Sequence, residues 1–314
     1  MLCIADTSKK SIKMTWPFRD VHINLLTIAS LVAILHLCAL ILLLNARTKL
    51  KNQRLIMINL SLTELMYCMD NVLIYSVEFA TQSTLVELKN RALLVATSSA
   101  VMMFTMANKF VVLYLIVDRF LDIFFHMKYP LYFTKFRVKC ILCLLWVTSI
   151  IYGLTLAAYI IIRRERNFSM IIHNYVSLCV DACVTVTAVT TYAYFYKKTR
   201  RMPKGSIGSA QNRSTSFVNP KFLVPFLVIF TYLLFNVSSS ITFQVWRLQE
   251  RPMKESDIHP LYITAQMMAF VGFLADGLLH IILQKDVRTH IFRTLRRRRV
   301  IRRDVDSIYH MSTF

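Results

Sequence analysis

Long apolar stretches alternate with short polar ones along the whole chain. A helix needs about 20 mostly apolar residues to cross a hydrocarbon core of roughly 30 Å. Stretches at 21–46, 55–80, 92–117, 140–162, 170–196, 222–246 and 260–283 meet that length. They occupy more than half of the chain, so the pattern predicts an all-α membrane protein, a seven-transmembrane helix bundle without a separate soluble domain. The polar segment at 47–54 is short enough to force its two flanking helices to run antiparallel. The expected organisation is an extracellular tail over 1–20, the bundle over 21–283 and a cytosolic segment over 284–314.

Composition agrees with a lipid solvent. The chain has 314 residues, of which 56% are hydrophobic and only 5 are glycine, and its mean hydropathy is +0.49, too apolar for a soluble protein of this size. Lys9, Lys10, Lys13 and Arg19 precede the first span, but no short apolar core with a small-residue cleavage site is present, so that span is expected to act as its own insertion signal. Charge then sets the orientation. Counted over the segments between spans, one side holds 25 Lys and Arg and the other 12. The richer side is expected to be cytosolic, which puts the N-terminus outside. The net charge of +21 reads as topology plus attraction to anionic inner-leaflet lipid. The basic run Arg296-Arg297-Arg298-Arg299-Val300-Ile301-Arg302-Arg303 follows the bundle directly, which speaks for a lipid surface and against nucleic acid.

Charges inside spans are costly and are functional suspects by default. At 1.5 Å per residue, Glu64 lies about 14 Å from the cytosolic end of its span, Lys109 about 14 Å from Asp118, and Asp276 about 11 Å from the end of its own span. His36 reaches a similar depth, and His280 lies one turn below Asp276 on the same face. Two carboxylates in one layer raise one another's pKa unless a cation sits between them. Sodium, a proton shared by the acids and the ammonium of Lys109 are all candidates. Lys109 lies about 100° around the helix from Asn108, which aims it alternatively toward Asn236 and the fifth span. One reading makes the layer a conformational switch; the other makes it an ion pair that only fixes packing.

Nothing points to catalysis. The sequence has no nucleophile-base arrangement, phosphate loop or metal cluster, so neither an enzyme nor a cofactor is expected. Of the seven cysteines, only Cys3 lies in an outer segment, and Cys140 and Cys143 sit in a span without histidine partners, which favours packing over metal or redox chemistry. Asn167-Phe168-Ser169 is a glycosylation sequon close to the bilayer, and Ser312-Thr313-Phe314 fits a carboxylate-capture peptide.

The third span ends Leu113-Tyr114-Leu115-Ile116-Val117-Asp118-Arg119-Phe120, an acid and an arginine side by side where a membrane helix would emerge into water. The second begins Leu55-Ile56-Met57-Ile58-Asn59-Leu60-Ser61-Leu62-Thr63-Glu64-Leu65, the fourth carries Trp146, and the seventh ends Asp276-Gly277-Leu278-Leu279-His280, followed by Gln284-Lys285-Asp286-Val287-Arg288. In order and spacing these resemble the rhodopsin-like G-protein-coupled receptors, over nearly the whole chain. Glu64 stands where that family has an aspartate, His36 where it has a first-span asparagine, and Asp276, Gly277 and His280 stand for its Asn-Pro-x-x-Tyr. The segment Phe124-Phe125-His126-Met127-Lys128-Tyr129-Pro130-Leu131-Tyr132 resembles the second cytosolic loop.

The resemblance implies a plasma-membrane receptor that passes a small extracellular ligand's binding to a heterotrimeric G protein. Asp118, Arg119, Tyr192 and His280 would serve coupling and activation, with Arg119 paired to Asp118 at rest. Glu64, Asn108 and Asp276 match the family's sodium-binding positions, and a short amphipathic eighth helix would follow the seventh span. Several departures narrow the expectation. Tyr232-Leu233-Leu234-Phe235-Asn236-Val237-Ser238 lacks the family's sixth-span tryptophan and proline, and its outer disulfide has no cysteines here. Val101 and Phe270 replace an amine-binding aspartate and a retinal-binding lysine, which disfavours those ligands. Outer-half polar residues suited to a ligand are Asp70, Thr105, Asp181, Tyr262 and Gln266, although both acids are equally suited to hydrogen bonding between helices. Two other classes stay open: a seven-span transporter or channel with an ion path through Glu64, Lys109 and Asp276, and a receptor-shaped protein that does not couple.

Overall fold

The structure, a computed structural model, describes residues 16–45, 51–81, 90–125, 128–163, 166–200, 220–248 and 260–282. Its helices are α1 (Trp16–Asn45), α2 (Lys51–Thr81), α3 (Arg91–Phe124), the single turn α4 (Tyr129–Tyr132), α5 (Lys135–Arg163), α6 (Arg166–Arg200), α7 (Pro220–Thr231), α8 (Ser238–Leu248) and α9 (Pro260–Ile282). A π-helical turn, Tyr232–Val237, joins α7 to α8 into one rod. The described residues contain no strand.

Six of these helical rods are long and apolar enough to cross a membrane: α1, α3, α5, α6, the α7–α8 rod and α9. The chain thus has the makings of a multi-pass membrane protein. The remaining long helix, α2, is less apolar because Asn59, Glu64, Asp70 and Asn71 interrupt it. Its large exposed side chains are nevertheless Met66, Met69, Leu73 and Phe79. The whole molecule is arranged in this sense. Leu144, Ile151, Leu154 and Ile162 of α5 and Leu31, Ile34 and Leu44 of α1 face outward, while His36, Glu64, Lys109, Asp118, Arg119, Asp181 and Asp276 are buried. Apolar exposure on this scale suits hydrocarbon and not water.

Helix α3 is the centre of the bundle. It packs against α2, α5, α6 and α7, while α1 lies along α2 and α9 closes the ring against α1 and α8. Polar side chains tie the helix ends. Arg54 of α2 donates from Nε to the Leu43 carbonyl at 2.8 Å and from Nη2 to the Leu44 carbonyl at 2.6 Å, which satisfies carbonyls that the end of α1 would leave open. Asn90 caps α3 by accepting from the Leu93 amide at 3.2 Å. Trp146 Nε1 donates to Asn59 Oδ1 at 3.0 Å and so joins α5 to α2.

Two apolar layers result. Leu43, Ile56, Leu60, Leu115, Val228 and Ile229 form the layer nearer Arg119. Leu25, Ala29, Tyr67, Phe270 and Phe273 form the layer toward the other end. Along α1, α2 and α9 the residues between these layers are His36, Glu64 and Asp276, so the buried charges form a sheet of polarity between two slabs of hydrocarbon.

Two expectations change. Helix α3 does not end at Asp118-Arg119 but continues to Phe124, because Phe120 and Phe124 pack against Tyr194 of α6 at 5.8 Å and carry the helix on. Gly277 lies within α9, which runs through to Ile282; a Cβ there would meet Leu35 Cδ2 at 2.7 Å, so the glycine serves the close approach of α9 to α1. Cys140 and Cys143 are exposed on α5 and do not pack inside the bundle. Asn167 falls in the first turn of α6. The eighth helix, residues 1–15, the basic run and Cys3 lie outside the described residues.

Candidate functional site

At one end of the bundle Asp118 is fully buried and Arg119 is almost so. Arg119 Nε donates to Asp118 Oδ2 at 3.1 Å and a second guanidinium nitrogen reaches the same oxygen. Nη1 lies 3.6 Å from Asp122. The other Asp118 oxygen accepts from the hydroxyl of Tyr129, so this carboxylate is held by two donors. Tyr129 is delivered by the turn α4, whose second residue, Pro130, sits in the first turn where a missing amide is no loss. Burial, with the Asp118 carboxylate, pushes the Tyr129 hydroxyl up from its ordinary pKa, which keeps it protonated and donating. Tyr192 packs edge-on to Phe226 with ring centres 4.9 Å apart. Together with Arg119 these rings line a gap of only about 20 Å³, room for about one water.

The middle layer contains two clusters. Lys109 pairs with neither Glu64 nor Asp276; its ammonium contacts Asp181 of α6 and donates to Ser240 Oγ at 3.1 Å. The rotation of Lys109 away from the face that carries Asn108 is the cause. Asp181 takes a further hydrogen bond from Tyr232 at 2.6 Å, so α3, α6, the π-helical turn and α8 meet at one satisfied ion pair. The π-helical turn spans Tyr232–Val237, and such turns gather at functional sites.

The second cluster joins α1, α2 and α9. His36 Nε2 lies 2.8 Å from the Phe273 carbonyl, and His36 Nδ1 lies 3.3 Å from Glu64 Oε2. The Glu64 and Asp276 carboxyls are close enough to interact directly. One Asp276 oxygen accepts from Thr231. Both Glu64 oxygens, the other Asp276 oxygen and both His280 ring nitrogens have no ordinary hydrogen-bond partner. His280 lies near enough to His36 to interact with it electrostatically and so adjoins this cluster. Asn108 is one step removed, accepting from Thr63 at 3.3 Å. Neighbours in sequence bridge the two clusters: Thr231 binds Asp276 and Tyr232 binds Asp181.

Toward the end opposite Arg119 lies a cavity of about 200 Å³ between α2, α3, α6, α8 and α9. Thr105, Tyr262 and Gln266 line it, whereas Asp70 and Asp181 do not. Asp181 is instead taken up by Lys109 just below. Glu78, His173 and Asn174 line the cavity too. Glu78 lies 3.2 Å from His22 Nε2 of α1, and His173 Nδ1 lies 3.0 Å from the hydroxyl of Tyr152. Ser240 lines the cavity while accepting from Lys109, so the cavity floor touches the charged layer.

Sequence reasoning missed Tyr129, Thr231, Tyr232 and His173. Tyr129 carried a signal, a tyrosine immediately before the loop proline; the others did not, since hydroxyls and a histidine in an apolar stretch say nothing of their partners. Among the described residues no group of three His, Cys, Asp or Glu side chains is arranged to hold a metal ion. No protein-family model matches the chain, and no curated protein matches it.

Proposed function

We propose that the chain is a rhodopsin-like seven-helix receptor of the plasma membrane. Its N-terminus faces outside, α2 is the further span, and a cytosolic eighth helix follows α9. In this reading a small extracellular ligand enters the 200 Å³ cavity and the Arg119 end opens to a heterotrimeric G protein, with basic cytosolic segments resting on anionic inner-leaflet lipid. One observation carries the reading: an arginine is locked by Asp118 at one end of the bundle, a cavity lies toward the other, and side-chain contacts lead from the cavity into the charged layer between them. Ser240 links the cavity to Lys109, and Thr231-Tyr232 link that pair to Asp276. Lys109, bound to Asp181, no longer forms an ion path with Glu64 and Asp276, which weighs against a transporter or channel.

The described conformation is the resting one in this reading, since Arg119 is paired and the space around it holds about one water. Opening requires Arg119 to leave Asp118, with Tyr129 left as that acid's donor. The polar layer sets the balance between the two states. Ligand-independent nucleotide exchange over a panel of G proteins tests the proposal; exchange is expected to fall to background in Arg119→Ala at matched surface level. Exchange indifferent to Arg119 would remove the basis of the proposal.

A further inference from the structure

The proton inventory of the cluster between α1, α2 and α9 does not close. His36 Nε2 faces the Phe273 carbonyl oxygen at 2.8 Å, and a carbonyl only accepts, so Nε2 carries a hydrogen. In a neutral imidazole the other nitrogen is then a bare acceptor. That nitrogen, Nδ1, faces Glu64 Oε2 at 3.3 Å, and an ionised carboxylate is also acceptor-only. Two acceptors at this distance need a proton between them. The same difficulty recurs on the next side of Glu64, where the Asp276 carboxyl lies within interaction range. Thr231 contacts a single Asp276 oxygen, but its one hydroxyl hydrogen is also within reach of the Val228 carbonyl at 2.8 Å and the Leu227 carbonyl at 3.0 Å, so at most one carboxyl oxygen receives a donor and the other three receive none. His280 extends the row with two unpartnered ring nitrogens.

Among the described residues, the surrounding elements bring no counter-charge. The titratable and charged groups facing the cluster are His36 from α1, Glu64 and Cys68 from α2, and Asp276 and His280 from α9. Helix α3 offers only Asn108, through Thr63, because its lysine is committed to Asp181. Helix α7 offers the hydroxyl of Thr231. All four principal side chains are fully buried. Two negative charges without a cation in such a place are prohibitively expensive.

We propose that His36, Glu64, Asp276 and His280 form a buried proton-binding site that holds one proton between the two acids and a second on the His36–Glu64 contact. Imidazole nitrogens flank the acids, and nitrogen suits a proton better than it suits a hard cation, which prefers oxygen ligands. Gly277, packed against Leu35 and the His36 ring, leaves no slack on the α1 side for a hydrated ion. Loss of the protons sets like charges on α2 and α9 against each other and strains the Thr231 contact, which leads to the π-helical turn. The site is thus a proton-controlled latch on that turn. It does not rest on the receptor reading, because it can be tested without any G protein.

The test is infrared spectroscopy of the purified full-length protein in lipid nanodiscs. The native protein is expected to show the carbonyl stretch of a protonated carboxylic acid at neutral pH, shifted in heavy water and diminishing as pH rises. Replacing sodium chloride with choline chloride at constant ionic strength should leave it unchanged. Glu64→Gln and Asp276→Asn should each remove at least half of its intensity. No protonated-acid band at neutral pH would overturn the proposal. So would a band that neither variant alters, or one that appears only when sodium is withdrawn, since sodium would then hold the pair. The pH and sodium arms use the native chain and decide the matter even if a variant fails to fold.

Discussion

The two buried clusters use similar residues and solve the same problem differently. In one, Lys109, Asp181, Tyr232 and Ser240 match a cation to an anion and give each a further hydrogen-bond partner. In the other, His36, Glu64, Asp276 and His280 place acceptors against acceptors. The first is complete within the protein and suits a fixed joint. The second is complete only with protons from outside, which suits a place where the bundle changes state. Adjacent residues, Thr231 and Tyr232, hold one cluster each, so neither can move without the other being informed.

The sharpest way to break this comparison is at Lys109. Lys109→Met leaves Asp181 buried with only the Tyr232 hydroxyl, and removing one partner of a buried pair costs about 3–5 kcal/mol. A matching drop in the thermal midpoint of the purified protein is expected, and Lys109→Met with Asp181→Leu should restore most of it. A midpoint that the double substitution leaves as low as the single one would mean that the pair is not the source of the loss.

A smaller effect is expected where α9 meets α1. Gly277→Val forces a side chain onto Leu35, 2.7 Å from where its Cβ would stand, and overpacking of this kind costs about 1–3 kcal/mol. The same midpoint measurement reads it, and Leu35→Ala in the same chain should relieve part of it. Absence of any relief would show that the contact is not the cause.

Next in size come the acids, with the opposite sign. If Glu64 and Asp276 share protons, an amide in place of either resembles the protonated acid, and stability should be unchanged or raised by about 1 kcal/mol. A loss like that of Lys109→Met would erase the difference between the clusters. Basal signalling should shift in both Glu64→Gln and Asp276→Asn at equal surface level. A change of similar size but opposite sign is expected for Thr231→Val, which takes the Thr231 hydroxyl from Asp276 and costs about 0.5–1.5 kcal/mol, measurable by denaturation in mild detergent.

Much of the fold was legible because lipid imposes a simple demand on outward faces. The apolar runs gave six rods directly, and the helix α2 was placed by the length of its run despite Glu64 and Asp70. Depth along a helix was also legible, since it needs only a residue count. It brought His36, Glu64, Lys109 and Asp276 into one layer and set His280 one turn below. Rotation was less so: the offset of Lys109 from Asn108 left two directions open, and only packing with α6 decides for Asp181. The π-helical turn had no sequence signal, because Tyr232–Val237 contains neither proline nor glycine. The end of α3 was misplaced because Asp118 and Arg119 look like a water-facing boundary, yet they neutralise each other and stay buried with Tyr129.

The most direct measurement is nucleotide exchange on a panel of G proteins, with wild type, Glu64→Gln, Asp276→Asn and each of these combined with Arg119→Ala, at matched surface levels. The expected result is exchange on at least one G protein that the acid substitutions change and that Arg119→Ala abolishes in every background. Exchange that survives the loss of Arg119, or none from wild type and both acid variants alike, would contradict a receptor coupled through Arg119.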